Sequence, residues 1–244
     1  MKKSNRIGYR GESWKTLNEL ISSGKYSRDK IFNDWLDLIL ASGLALRDNI
    51  QRKGLKIDLL KMDGVYEDRY MEIVQSYDNS GEKGKRPVDC FAAAYHFLMK
   101  EIEETDKDCL GDIFMSEITF GEHGQFFTPE HITEMMAIMT VPSKSEKGRY
   151  VVCDPCCGSG RMLMSAHKNN PEAFLVGIDL DPRCAKICAI NLMLRNLSGD
   201  VYWGNSLTAE METVWMVRGG FIEEKAKPEA PDKIKEQTQE QIAA

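Results

Sequence analysis

The chain has 244 residues, enough for one large domain or two small ones, each with its own core. With 42% hydrophobic and 29% charged residues it has the composition of an ordinary globular protein, and its net charge of −6 argues against a strongly cationic nucleic-acid binder. The charge is uneven: residues 1–61 carry 13 Lys and Arg against 7 Asp and Glu, and the remainder 19 against 31, so a basic first third faces either nucleic-acid phosphates, an acidic partner or plain solvent.

Residues 27–50 repeat apolar side chains at helical spacing (Ile31, Phe32, Trp35, Leu38, Ile39), with Ser27 placed to cap the start. Residues 66–77 and 87–104 read as further helices, the second opening on Pro87 and presenting Phe91, Ala94, Tyr95, Leu98 and Ile102 on one face. A polar loop, 78–86, separates them, and another short helix covers about 110–118. The expected division is a helical region over 1–118, an α/β domain over 119–223 and a disordered tail over 224–244, where Lys, Glu, Pro, Ala and Gln predominate.

From Thr119 the pattern changes. An amphipathic helix spans 129–139, a loop covers 142–149, and strands and helices then alternate: 150–154, 160–169, 173–179, 182–197 and 200–204. That alternation implies parallel strands joined by crossovers. Cys153-Asp154-Pro155-Cys156-Cys157-Gly158-Ser159-Gly160 joins the first strand to its helix, and its glycines let a ligand approach backbone amides. Asp179 ends the next strand nineteen positions after Gly160, where an acid commonly takes ribose hydroxyls. A dinucleotide site needs a third glycine, and that position is Leu163.

Seven cysteines, five of them in core elements or this turn, suit a reducing compartment. A zinc site from Cys153, Cys156, Cys184 and Cys188 is disfavoured, because the first pair flanks a strand end and diverges. Lys2 and Lys3 lead into polar residues rather than a signal peptide's apolar run. The longest apolar patch, Leu38 to Leu46, is far below the ~20 residues of a membrane span. The expectation is a cytoplasmic protein with no membrane contact and no metal. His123 and His131 read as surface residues.

Gly124-Gln125-Phe126-Phe127-Thr128-Pro129, Asp154-Pro155-Cys156-Cys157-Gly158-Ser159-Gly160 and Gly177-Ile178-Asp179 resemble three successive motifs of adenine-specific DNA methyltransferases, most of all the modification subunit of type I restriction systems. The likeness covers about residues 110–207. It implies a Rossmann-like sheet that binds S-adenosylmethionine across its first strands. By resemblance, Phe127 and Thr128 contact the methionine part, Asp154 sits near its ammonium, and the turn with Cys156, Gly158, Ser159 and Gly160 lines the sugar and amino acid. Asp179 takes the ribose hydroxyls, Ile178 or Leu180 packs on the adenine, and Asn205 accepts from the adenine amine where the family often has Asp. Read alone, Phe126 and Phe127 are equally plain core aromatics, and Asp179 a cap for the helix starting at Pro182.

The resemblance stops at the reaction site. The family holds its target amine with Asn, Asp or Ser followed by Pro-Pro-aromatic, and no two of the eight prolines here are adjacent. The chain therefore resembles a compact form without catalytic residues, its sheet truncated so that strand one lies at an edge. Thr213–Val217 and Phe221–Glu223, joined by Arg218-Gly219-Gly220, read as a hairpin able to cap that edge, a task also open to the N-terminal helices or a partner subunit. The leading expectation is a cofactor-binding, non-catalytic chain in a restriction-modification setting. The alternatives are an active DNA adenine methyltransferase, alone or completed by a partner, and a methyltransferase for RNA or a small molecule.

Overall fold

A computed structural model describes residues 11–54, 63–119, 126–144, 150–232 and 234. They fall into two compact units: one contains 11–42, 63–119 and Phe126, the other 43–54 and the described residues from Phe127 onward. The α/β class expected from the sequence is the class observed, with helices first and a mixed sheet after them. The boundary differs from the expected 118/119, because the second half of one long helix, from Gly43, belongs to the sheet unit.

The helical unit is built from α1 (Glu12–Ser22), the first half of α2 (Arg28–Lys53), α3 (Val65–Gln75), α4 (Pro87–Thr105) and α5 (Cys109–Ile113), which runs on as a π-helical turn over Phe114–Ile118. Sequence reading missed α1, although Trp14, Leu17 and Leu20 form its buried stripe. It packs on α4, and the Ser13 amide and hydroxyl both donate to the Glu101 carboxylate, at 3.0 and 2.7 Å. The Ser27 hydroxyl accepts from the Lys30 amide, as the capping argument expects. Trp14, Phe32 and Phe114 form a chain of rings 6.0–6.2 Å apart, and Arg28 pairs with the buried Glu117 beside it. In the π turn the Thr119 amide donates to the Phe114 carbonyl five residues back, at 2.9 Å.

The sheet unit holds α6 (Glu130–Thr140), β1 (Val151–Asp154), α7 (Arg161–Asn169), β2 (Phe174–Asp179), α8 (Pro182–Leu194), β3 (Gly199–Asn205), β4 (Glu210–Arg218) and β5 (Phe221–Ala226). The strand order is β1-β2-β3-β4-β5; the first three are parallel, the last two antiparallel. Helix α7 lies on β1 and β2, α8 on β2, β3 and β4, and α6 on α7, where the Thr133 and Ser165 hydroxyls meet at 2.7 Å. Gly177 permits this closeness: a β-carbon there would stand 3.0 Å from Leu163 and 3.1 Å from the Cys157 sulfur. Gly43 does the same for α2, since a β-carbon would meet Met193 at 2.6 Å and Ile222 at 3.0 Å.

Two expectations are corrected here. The hairpin exists, turning through Gly219 and Gly220 at φ +54° and +81° as a tight turn of this hand requires, but it extends β3 and does not cap β1. Its strand β4 carries Trp215 and Val217 inward, and a register opposite β3 buries them, which the edge of β1 would not. Among the described residues β1 pairs only with β2. The expected disordered tail also begins too early: β5 continues to Ala226, and Ala230 and Ile234 are buried against Ile178 and Met211. Apolar positions spaced four apart were hidden in a polar, proline-containing stretch. The rest of that stretch, residue 233 and 235–244, lies outside the described residues.

Candidate cofactor-binding turn

The turn from β1 into α7 is fixed by its own backbone. The Cys157 amide donates to the Ile178 carbonyl at 2.9 Å, tying it to the end of β2, and the Gly160 amide closes onto the Cys157 carbonyl at 2.8 Å. The Gly158 amide then donates to Asp179 Oδ2 at 2.8 Å, while the Asp181 amide donates to Asp179 Oδ1 at 2.9 Å. Asp179 therefore joins the two strand ends. It is not the cap of α8; that role belongs to Asp181, which accepts from the Arg183 amide at 2.8 Å.

The two glycines serve the protein's own packing. Gly158 has φ +54°, and a β-carbon there would press into the Phe127 ring at 2.8 Å. Gly160 has φ +90°, and a β-carbon would meet the Cys188 sulfur at 2.7 Å. Positive φ and these neighbours together demand glycine, a reason the sequence argument from ligand access did not contain. Phe127 is half-buried, 5.7 Å from the Arg161 guanidinium, and Thr128 follows it, also half-buried. Phe126 is 71% exposed, so it is not a core aromatic. Gly124, Gln125 and His123 lie outside the described residues; His131 is exposed.

Asp154 ends β1, and its Oδ1 accepts from the Cys156 amide at 3.1 Å. Burial pushes the Asp154 carboxyl above the usual carboxylate range, against the pull of that amide. Burial does the same to Asp179, aided by the neighbouring Asp181 and Asp154 and opposed by its two amide donors. Two partly buried carboxyls are therefore raised at one turn, the charge of Asp154 adding to the rise at Asp179, an environment in which a nearby positive charge would be favourable. Cys156 is the one exposed cysteine of the seven; burial and the charges of Asp179 and Asp154 raise its thiol, which hydrogen bonds to Ser206. Cys157 is buried and its thiol is raised by a hydrogen bond to Cys188 and by burial.

The remaining expected residues separate. Ser159 is buried, and its carbonyl accepts from the Asn191 side chain at 2.9 Å. Ile178 is fully buried in the Met211–Ala230–Ile234 cluster and faces away from the turn, whereas Leu180 is 69% exposed beside it. The Asn205 side-chain oxygen Oδ1 accepts from the Leu207 and Thr208 amides at 2.9 and 3.4 Å, so the loop after β3 uses the acceptor that the resemblance gave to adenine. Sequence reading passed over Ser206 and Trp203; the strand register, which brings Trp203 beside Asp179, is what reveals the latter.

The basic first third looks different once folded. Of its seven described cations, Lys15, Lys25, Arg28, Lys30, Arg47 and Arg52 each pair with an acid within the protein, and Lys53 is also engaged. The other six, Lys2, Lys3, Arg6, Arg10, Lys56 and Lys61, lie outside the described residues. No described helix is long and apolar enough to cross a membrane.

Comparison with known proteins gives these residues a context. The chain is similar to the Type I restriction enzyme MjaVIII methylase subunit of Methanocaldococcus jannaschii, 27% identical over 122 residues that make 46% of this chain and 20% of that protein. It is similar also to the Type II restriction enzyme and methyltransferase RM.BcgI of Heyndrickxia coagulans, 29% identical over 129 residues, 45% of this chain and 20% of that one. The chain thus matches about a fifth of the length of these relatives. A solved methyltransferase subunit of a type I restriction-modification system from Streptococcus thermophilus aligns over 76% of this chain and 55% of its own, with 13% identity and a TM-score of 0.41. Residues 87–226, more than half of the chain, match the family model described as N-6 DNA Methylase, so the protein belongs to the N-6 DNA methylase family.

Proposed function

We propose that this chain binds S-adenosylmethionine at the β1–α7 turn and, by itself, transfers no methyl group to DNA adenine. The observation that carries the reading is the Gly158–Asp179 hydrogen bond at 2.8 Å, which brings the glycine turn, Asp154 and Asp179 into one acidic corner. The donor set fits the group: two carboxylates raised by burial gain from a ligand that brings positive charge, and a carboxylate holding two amides retains lone pairs for hydroxyl donors. Asp154 would take the ammonium, Asp179 the ribose hydroxyls, and Phe127 and Thr128 the methionine side. Bound there, the cofactor supplies an activated methyl on a sulfonium. Titrating the purified chain with it and then supplying mixed-sequence DNA and labelled cofactor tests both halves; label incorporated into adenine and lost in Asp154→Ala overturns the second.

A second reading is favoured by the open side of β1. Among the described residues this parallel strand has one neighbour, and a partner chain that adds strands there would also bring target-binding residues within reach. In that case the pair, and not the chain alone, modifies DNA. Co-purification from the native host distinguishes the two.

A further inference from the structure

Asp179 and Trp203 are partners in the parallel register of β2 and β3, so their α-carbons lie about one strand spacing, ~4.8 Å, apart at the carboxyl ends of the sheet. Side chains alternate along a strand, and register partners share a face. Gly177 looks toward α7, where a β-carbon would touch Leu163 and Cys157; Asp179, two residues on, looks the same way and accepts the turn's amide. Val201 and Trp203 are their partners on β3, so the indole is on the side of the turn. Tyr202, between them, packs on the opposite face with Ile178 and Met211. The ladder to β4 shifts register between Trp203, opposite Thr213, and Gly204, opposite Met211, so an irregularity in the pairing lies beside the indole.

Burial separates this tryptophan from the others. Trp14, Trp35 and Trp215 are 3%, 1% and 3% exposed, whereas Trp203 is half-buried. Leu180, directly after Asp179, is exposed on the same rim. A nucleoside whose amino-acid end is at the β1 turn and whose ribose is at the end of β2 must extend its base toward the end of β3. That line ends on Trp203.

Resting on the cofactor reading above, we infer that Trp203 is a base-contacting residue: its indole packs on the adenine ring and, with Leu180, gives the site its preference for a purine nucleoside. This replaces the polar contact that Asn205 gives up to its own loop. Packing of the base on an indole does not depend on the amino-acid end of the ligand, so the site is expected to take adenosine fragments that lack it.

The test uses the full chain, with S-adenosylmethionine and 5′-methylthioadenosine as probes, followed by calorimetry and tryptophan fluorescence. Trp203→Ala is expected to weaken both ligands by about tenfold, and Trp203→Phe to stay within about threefold of wild type. Saturating ligand should change the wild-type emission and leave that of Trp203→Phe unchanged. Wild-type binding with equal affinity in Trp203→Ala, or an emission change that survives in Trp203→Phe, overturns this inference alone. A wild type that binds neither probe overturns the cofactor reading and this inference with it.

Discussion

Gly158 and Asp179 are twenty-one residues apart in sequence, yet the amide of one donates to the carboxylate of the other at 2.8 Å, locking the first turn of the sheet to the end of its second strand. The same carboxylate serves as structural latch and as proposed ribose acceptor. Asp179→Ala should therefore lower cofactor affinity by about tenfold or more, since a hydrogen bond to a charged group is typically worth ~1.5–3 kcal/mol. Calorimetry reads this directly; unchanged affinity removes Asp179 from the site.

Acidification should weaken binding. The Asp154 and Asp179 carboxyls are held above the ordinary carboxylate range, and a cationic ligand needs them ionised. Affinity is accordingly full above their raised values and falls as pH drops through them. The stability of the ligand-free protein runs the other way: a folded-state value above the unfolded one means the fold binds protons more readily, so these two groups favour folding more as pH falls. Ligand titrations at successively lower pH check the first sign, and melting across the same series in Asp154→Asn against wild type checks the second.

Gly160 is predicted to tolerate no β-carbon. Gly160→Ala meets the Cys188 sulfur at 2.7 Å and adopts φ +90°, so it should destabilise by about 1–3 kcal/mol in denaturant unfolding. Cys188→Ala in the same chain removes the clash and not the backbone cost, and should restore part of the loss. Full additivity of the two changes would show that the packing argument is wrong.

Cys156 is the exposed thiol among seven, and it borders the proposed site. A bulky maleimide should label one cysteine in the folded protein, slowly because the thiol is raised, and S-adenosylmethionine should protect it. Labelling of Cys156 at the same rate with and without cofactor would separate the turn from the ligand.

How much of this was legible in the sequence depends on range. The alternation that gives β1, α7, β2, α8 and β3 is local, and so are the cap at Ser27 and the first-turn proline at Pro87; these are read correctly in kind and nearly in extent. The spacing put an acid, Asp179, at the end of β2 beyond the glycine turn; that its carboxylate accepts from the Gly158 amide is a long-range contact which spacing does not contain. What failed was pairing over distance. The Gly219-Gly220 turn announces a hairpin but not its neighbour, and the sheet adds it to β3. Likewise Ile178 and Leu180 flank Asp179 symmetrically in sequence, but alternation sends the first into the Ala230–Ile234 cluster and leaves the second open. The charge of the first third was a count, and counts do not show that Arg47 pairs with Glu223 or Arg28 with Glu117.

The most direct measurement is isothermal titration of S-adenosylmethionine into the purified chain, alongside Asp154→Ala. One saturable site in the wild type, weakened at least about tenfold in the variant, is the result expected of a charge-assisted contact to the ammonium. No binding to a folded wild-type chain, or equal binding by both proteins, would mean that the acidic corner at Gly158 and Asp179 holds no methyl donor.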